Sequence, residues 1–428
     1  MTLFSLPYLY SLRKSQWLST QELERRQWKK FHALLSHAYK NVPYYRILFK
    51  DHGICPDDIR TRADVSLIPI TTKAMLQSVP FEDLLARDVR LEQCIERRTS
   101  GTSGRPLRIV LSQKEKDTQD FIQARAMLEH GMRLSDRRAV FVAPWQIPQH
   151  LYWFQRLGIW RKAYFSVFAD IRTQFPVIEQ FAPDCLAGTP ALLKLIALEK
   201  EERKSKKLAP RTIFSSGDLL DQGTRQLIES VFHVKVVDMY GSLEFGYMAW
   251  ECPDGHKGYH LNMESVLMEF LRDEQTNSDE QTGEVICTSL HSYAMPLIRY
   301  RLGDFCVPYE SSCPCGRGLP LIKLVAGRTN DTVKLPGGRV VTPQALADTM
   351  VEFAGMVQQF KIIQEQKGSI SVEIIKGKEF QSNTVAGIDE NLRRVLGSDV
   401  VINLKIVHTI ENDPSGKRRA IVSRMPSS

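Results

Sequence analysis

The octapeptide Thr99-Ser100-Gly101-Thr102-Ser103-Gly104-Arg105-Pro106 alternates small hydroxyl residues with glycines and ends on a cation and a proline. Glycine lets a backbone approach phosphate oxygens closely, Ser and Thr donate hydrogen bonds, and a guanidinium balances charge. The spacing is not that of the Walker loop, which ends on Lys-Ser/Thr. The plain alternative is a Gly/Ser surface loop. The stretch Asp238-Met239-Tyr240-Gly241-Ser242-Leu243-Glu244 follows an expected strand over 234–237. A glycine turn at the end of a parallel strand is where ligands sit in open α/β sheets. Glu244 offers a hard oxygen ligand to Mg²⁺, or is an ordinary solvated acid. Arg299-Tyr300-Arg301-Leu302-Gly303-Asp304 ends on a carboxylate whose two oxygens can accept from both hydroxyls of a ribose. Two further stretches are Gly327-Arg328-Thr329-Asn330-Asp331, at an expected domain seam, and Ser415-Gly416-Lys417-Arg418-Arg419, whose lone Gly-Lys carries little meaning in isolation.

A second chemistry is suggested by sulfur. Cys313-Pro314-Cys315-Gly316 places two thiols on a tight turn, and Cys252 and His260 lie upstream. Three thiolates and an imidazole suit tetrahedral Zn²⁺, and a shell closed by four protein ligands is structural. His256 is a rival to His260, and buried thiols without metal are the alternative. Cys55, Cys94, Cys185, Cys287 and Cys306 stand alone among apolar neighbours and are expected as buried free thiols. With no secretory signal read at the amino terminus, the compartment is expected to be a reducing cytoplasm.

The elements that must position these groups follow from periodicity. Leu23, Trp28, Phe31, Leu34, Leu35 and Ala38 recur at helical spacing, so 20–50 is expected to be helical and to end near Pro43. Residues 60–95 read as short helices and loops. Strands are expected at 108–111, 139–142, 212–214 and 234–237, with a helix over 115–131, which argues for an α/β body with a largely parallel sheet. The last hundred residues have another rhythm: helix 343–354, strands 360–365 and 370–376, helix 383–396, strand 401–410. A seam falls near Gly327-Arg328. The 428 residues carry 43% hydrophobic and 25% charged side chains, a globular balance, and a net charge of +8. The basic residues are scattered and no nucleic-acid motif is present. No apolar run is long enough to span a bilayer. Met1 to Leu18 reads as mature protein, and Phe4, Leu6, Tyr8 and Leu9 could touch a membrane surface weakly or pack on the body.

Taken together, the order and spacing of these stretches resemble the adenylate-forming superfamily, and within it the phenylacetate–CoA ligase-like branch that includes CapK-type proteins associated with capsular polysaccharide genes. The resemblance covers nearly the whole chain. His37-Ala38-Tyr39-Lys40-Asn41-Val42-Pro43-Tyr44-Tyr45-Arg46 looks like the branch's N-terminal signature, continued by Asp64 and Leu67-Ile68-Pro69-Ile70-Thr71-Thr72-Lys73. Gly283-Glu284-Val285 and Ala294-Met295-Pro296-Leu297-Ile298-Arg299-Tyr300 match the approach to the ribose-binding Asp.

The resemblance implies an α/β fold: a large N-terminal adenylate-forming domain with mixed and parallel sheets over 1–327 and a small, mobile α+β C-terminal lid domain over 328–428. It implies that Ser100, Gly101, Thr102, Ser103, Gly104 and Arg105 cradle ATP phosphates, with Tyr240, Gly241 and Ser242 by the adenine. Glu244 is then the Mg²⁺ ligand, Asp304 the ribose ligand, and Arg328 sits by ribose and hinge. Lys417 is the lysine that neutralises charge as a carboxylate attacks the α-phosphate. Ser216-Gly217-Asp218 stands where relatives often have a small residue and Gly-Glu. Arg105 replaces the usual Lys, a planar fork in place of a point charge, and Leu302 replaces a common Thr. Similar cysteine motifs in the branch support zinc, and Gly258-Tyr259-His260 fits the relatives better than His256. The implied reaction consumes ATP and a carboxylic acid and makes acyl-AMP, with no covalent protein nucleophile. The acceptor is CoA, or an amine on a sugar or polysaccharide; a non-catalytic nucleotide-binding relative is the third reading. Pro144-Trp145 and His150-Leu151-Tyr152-Trp153-Phe154 fall where relatives build part of the acid pocket, or are core.

Overall fold

The computed structural model describes residues 6–98, 107–142, 147, 153–167, 169–271, 282–326, 333–336, 340–341, 346, 349–353, 355–411 and 420–425. Helices α1 (Leu6–Ser15), α2 (Thr20–Asn41), α3 (Pro43–Asp51) and α4 (Lys73–Gln77) precede strands β1 (Cys94–Arg98) and β2 (Arg108–Ser112) and helix α5 (Gln113–Glu129). Then β3 (Arg138–Val142), α6 (Trp153–Arg156), β4 (Lys162–Ser166), α7 (Ile171–Phe181), β5 (Cys185–Gly188), α8 (Pro190–Glu202), β6 (Thr212–Ser216) and α9 (Gln222–Phe232) alternate. Strands β7 (Val236–Ser242), β8 (Gly246–Glu251), β9 (Tyr259–Leu261), β10 (Val266–Leu271), β11 (Gly283–Ser289), β12 (Tyr300–Pro308) and β13 (Leu321–Ala326) follow. The chain closes with β14 (Val333–Lys334), β15 (Val340–Val341), β16 (Val357–Gln366), β17 (Ser369–Lys376), α10 (Thr384–Leu396), β18 (Val401–Ile406) and β19 (Ile421–Ser423). This is a mixed α/β architecture with a separate small sheet near the C-terminus, as the sequence implied.

Two compact units share the chain: residues 1–129 with 239–324, and 130–238 with 325–428. In the first, β10, β11 and β12 pair antiparallel, as do β7 with β8, β8 with β9, and β9 with β13. The expected largely parallel sheet is therefore only half the picture, because these strands are joined without crossover helices. Helix α2 starts at Ser19, whose hydroxyl accepts from the Glu22 amide at 3.3 Å, and buries Leu23, Phe31, Leu34, Leu35 and Ala38. It stops at Asn41, two residues before Pro43, because the residue preceding proline is pushed out of helical space: Val42 has φ −110° and ψ 114°. Pro43 then opens α3 at its first position, where its missing amide costs nothing. The single expected helix is thus two. Strand β1 starts at the boundary, near residue 95, between the short helices and loops expected over 60–95 and the strands and helices expected to alternate after it. Leu9 and Leu12 of α1 are buried and Tyr8 meets Phe121 of α5 edge-on at 6.4 Å, so this part of the amino terminus packs on the body.

A buried ion pair organises the unit. Arg125, fully buried, donates to Glu264 at 2.8 and 3.2 Å, to the Leu12 carbonyl at 3.1 Å and to Asn262. Ser15 completes the set on Glu264 at 2.5 Å. Removing one partner of such a pair would strand a charge.

In the second unit β4, β3, β5 and β6 run parallel in that order, with β4 at the edge. Their core includes Ala139, Phe175, Leu186, Ile196, Ile213 and Ile228. The C-terminal strands lie in the order β18, β17, β16, β19, and α10 buries Thr384, Ile388, Leu392 and Leu396 at one-turn spacing beside Ile362, Ile370, Val372 and Ile374. The helix expected over 343–354 lies largely outside the described residues.

Candidate active site and candidate metal centre

Strand β7 starts at Val236 and runs through Tyr240, Gly241 and Ser242, so Gly241 lies inside a strand and not on the expected turn. The turn follows it, and the Ser242 hydroxyl accepts from the Phe245 amide at 3.2 Å. Gly241 is needed because β8 returns so closely: a Cβ there would lie 2.5 Å from the Gly246 carbonyl oxygen. Gly246 has φ +71°, and a Cβ on it would press on the Gln119 side chain at 3.1 Å.

Tyr240 on β7 and Asp304 on β12 meet, the phenol donating to a carboxylate oxygen at 2.7 Å. Burial first, and then the adjacent carboxylate, raise the phenol well above its ordinary value, so it is a donor at every physiological pH. Glu244 is 6% exposed, and its Oε2 has no hydrogen-bond partner among the described residues. A buried carboxylate oxygen left open in this way is an acceptor for a cation or a donor-bearing ligand.

The strands around the Gly/Ser/Thr loop are paired antiparallel up to Arg98 opposite Arg108. Arg97 donates to Gln119 at 3.0 Å, the same Gln119 that touches Gly246. The entry to the loop is therefore tied to the turn bearing Glu244. The loop residues Ser100, Gly101, Thr102, Ser103, Gly104 and Arg105 lie outside the described residues, as do Arg328, Lys417, Pro144, Trp145, His150, Leu151 and Tyr152. Ser216, Gly217 and Asp218 belong to the second unit, at the carboxyl end of β6, where Gly217 takes φ +90°.

The approach to Asp304 carries a clamp that periodicity could not reveal. Arg299 has φ +45°, unusual for a side chain of its size. Its carbonyl accepts from the Thr71 amide at 2.9 Å, and the Thr71 carbonyl accepts from the Arg301 amide at 2.9 Å. Its buried guanidinium meets Glu269 at 2.9 Å and the carbonyls of Ser66, at 3.1 Å, and Ile68. Contacts on every side hold the residue in this sparsely populated backbone region.

The four sulfur and imidazole candidates converge. The donor atoms of Cys252, His260, Cys313 and Cys315 all lie within 4.8 Å of one another; His256 is not among them. Cys252 and Cys313 sulfurs are 3.7 Å apart and Cys315 sulfur is 3.4 Å from His260 Nε2. A tetrahedral zinc with ordinary bond lengths has S···S and S···N edges of roughly 3.8 and 3.5 Å. The other ring nitrogen, Nδ1, faces the Leu319 carbonyl at 3.2 Å, which fixes a tautomer with the Nε2 lone pair toward the sulfurs. Burial pushes His260 down to about 4 and Cys313 up to about 12. Cys315 moves the other way: burial opposes it, but the Arg317 amide and guanidinium donate to its sulfur and lower it. Arg317 also holds Glu129 at 3.1 Å, Asp254 at 2.9 Å and Gln16 at 3.0 Å. Gly318 must be glycine, since a Cβ would lie 1.8 Å from the Leu18 carbonyl oxygen. Arg317 escaped sequence reasoning, although a cation two residues beyond a thiol pair was a usable signal. Cys185, Cys287 and Cys306 are buried free thiols as expected, whereas Cys55 and Cys94 are only half-buried.

Residues 334–424 match the profile of the CapK C-terminal domain family. A phenylacetate–coenzyme A ligase of Aromatoleum evansii is 24% identical over 432 residues, covering 96% of this chain and 95% of its own. Protein CapK of Staphylococcus aureus is 20% identical over 419 residues, covering 94% and 89%. The chain thus resembles phenylacetate–coenzyme A ligases over nearly its whole length, and CapK-type proteins both there and in its C-terminal region. Its fold is that of a solved 2-hydroxyisobutyryl-CoA ligase in the postadenylation state in complex with R3-HIB-AMP, with a TM-score of 0.75 at 18% identity over 92% of this chain and 88% of the other. Among the described residues, no helix is long and apolar enough to cross a membrane.

Proposed function

We propose that the chain is an ATP-dependent ligase that activates a carboxylic acid as acyl-AMP and passes the acyl group to CoA. The observation that carries this reading is the Tyr240–Asp304 pair, an aromatic ring and a carboxylate held together at 2.7 Å, with the buried carboxylate of Glu244 on the turn that follows Tyr240 in the chain. In this reading Asp304 receives the ribose hydroxyls and Tyr240 lies by the adenine, next to Gly241 and Ser242. The unpartnered Oε2 of Glu244 suits Mg²⁺, which when bound offsets phosphate charge. Ser100, Gly101, Thr102, Ser103, Gly104 and Arg105 are assigned to the ATP phosphates, Ser216-Gly217-Asp218 to the nucleotide crevice, and Arg328 to the ribose and hinge.

The acid oxygen attacks the α-phosphorus, the bond to the β-phosphate oxygen breaks, and pyrophosphate leaves. The acceptor thiol then attacks the acyl carbon, loses its proton, and displaces AMP. Most of the rate in such transfers comes from positioning and charge stabilisation, the part assigned to Lys417. We place the moving module at 328–428, which the C-terminal match supports. Cys252, His260, Cys313 and Cys315 are assigned to a structural Zn²⁺. The eight free cysteines support a reducing compartment, the cytoplasm.

The match to the CapK C-terminal family favours a second reading, in which the acceptor is an amine, for example on a sugar, and the product an amide. A pyrophosphate-release screen over a panel of acids, with and without CoA and amines, tests both. Release that requires an acid and continues only with CoA supports the first reading; continuation only with amines supports the second. No release with any acid, under conditions where ATP binds, would leave a nucleotide-binding relative without ligase activity.

A further inference from the structure

At the amino end of the edge strand β4 the second unit presents aliphatic side chains to water. Leu157 is 68% exposed, the highest value of any large hydrophobic side chain among the described residues, and Ile159 and Leu134 are 45% and 41% exposed. They form one surface. The Trp160 amide donates to the Leu134 carbonyl at 2.6 Å, and the amides of Leu157 and Ile159 both donate to the Phe154 carbonyl at 3.1 Å. Left-handed backbone at Gly158, φ +83°, and at Trp160, φ +57°, closes the turn. Trp160 points inward, with the Arg138 guanidinium 5.6 Å from its ring centroid. The turn therefore buries its tryptophan and leaves its leucine and isoleucine outside, an arrangement that marks an interaction surface.

The fringe of this surface is cationic. Arg133, Arg156 and Arg161 are exposed and make no ion pair among the described residues. The single acid in 133–138 and 153–162 is Asp136, and it is consumed: Arg211 donates to both of its oxygens at 2.6 and 2.7 Å, and the Arg133 amide to one at 2.7 Å. Arg137 is paired with Asp184. The patch precedes the amino ends of the parallel strands β3 and β4, whereas ligands of such sheets sit beyond the carboxyl ends. Nucleotide chemistry does not account for it.

We propose that this turn docks the protein on an anionic lipid surface, with Leu157, Ile159 and Leu134 entering the headgroup boundary and Arg133, Arg156 and Arg161 meeting lipid phosphates. Charge complementarity selects this occupant: an apolar tip ringed by three uncompensated guanidinium groups matches a surface that is apolar within and negative outside. Neither signal alone holds a protein firmly, and the two together do. Each arginine near an anionic surface contributes roughly fivefold in affinity.

The test is sedimentation of the full-length protein with vesicles of phosphatidylcholine alone and of two parts phosphatidylcholine to one part phosphatidylglycerol. The expected result is binding to the anionic vesicles, weakened by salt and absent on the neutral ones. Arg156→Glu/Arg161→Glu should weaken it by at least about 25-fold. Leu157→Ser/Ile159→Ser should abolish it while leaving the circular dichroism spectrum unchanged. The remote pair Lys378→Glu/Lys405→Glu should leave it intact. No binding to anionic vesicles overturns the proposal, as does binding that survives both patch variants or is lost equally in the remote pair. A dimer in light scattering that Leu157→Ser/Ile159→Ser disperses, without vesicle binding, would assign the face to a second copy of the chain instead.

Discussion

Asp304→Ala tests the nucleotide site most directly, and the structure sets the size of the effect. The carboxylate is assigned two ribose hydroxyls, and each hydrogen bond to a charged group is worth roughly 1.5–3 kcal/mol. Water entering the site recovers part of the sum, so the lower bound, about 3 kcal/mol, is the expectation. That corresponds to a Kd for ATP raised about 150-fold. The same substitution strands the Tyr240 phenol, which now donates to Asp304 at 2.7 Å, and should cost about 1–3 kcal/mol of fold stability. Tyr240→Phe keeps the ring and removes only the bond that orients the carboxylate. It should weaken ATP by about five- to tenfold, the worth of one net hydrogen bond. In Tyr240→Phe/Asp304→Ala no phenol is left unsatisfied, so part of the stability lost in the single Asp304 variant should return. Calorimetric titration with ATP and thermal melts read both quantities. Unchanged ATP affinity in Asp304→Ala refutes the ribose assignment, and a loss in Tyr240→Phe as large as in Asp304→Ala refutes the orienting role.

Metal analysis should find about one zinc per chain, the occupancy of one closed four-ligand site, and Cys313→Ala/Cys315→Ala should lose it; full retention would return the cluster to ordinary thiols. Lys417→Ala should slow acyl-AMP formation by about 10²–10³ and nearly spare transfer from supplied acyl-AMP, as read in single-turnover assays of each step; equal loss in both would remove the argument for a lysine that comes and goes. Burial pushes His291 down to about 4, below its unfolded value near 6.5. Its contribution is therefore complete above about pH 6.5 and lost as pH falls toward 4, roughly 3 kcal/mol in all. Melts across this window should show the slope and His291→Gln should flatten it; an identical slope in the variant would place the acid sensitivity elsewhere.

What the sequence disclosed was local. The strands 108–111 and 139–142 and the helix 115–131 are runs whose burial shows in composition, and each is found within a residue or two. Glu244 and Asp304 are candidates because a motif carries them in order along the chain. Long-range consequences were invisible. Nothing near Gly241 announces that β8 will pass 2.5 Å from its missing Cβ, turning an expected turn into strand. Nothing near Arg299 announces Glu269 and Thr71. Pro43 predicts an ending because proline breaks helices, yet the same geometry starts one. The choice between His256 and His260 turned on which imidazole points at the sulfurs, and only coordinates give that.

The links from Thr71 to Ile298, from Tyr45 to Pro296 and from Arg125 to Glu264 span 227, 251 and 139 residues. They have a meaning for synthesis on the ribosome. The apolar faces of α2 and α3, with Phe31, Leu34 and Phe49 fully buried in the finished fold, wait for partners translated long after them. At ordinary elongation rates the delay is roughly 10–50 s. The core of 130–238 draws its contacts from neighbours in sequence and can close while the nascent chain is still growing. The amino-terminal helices cannot, and until the segment around residue 299 emerges they must be shielded by chaperones or risk sticking to one another.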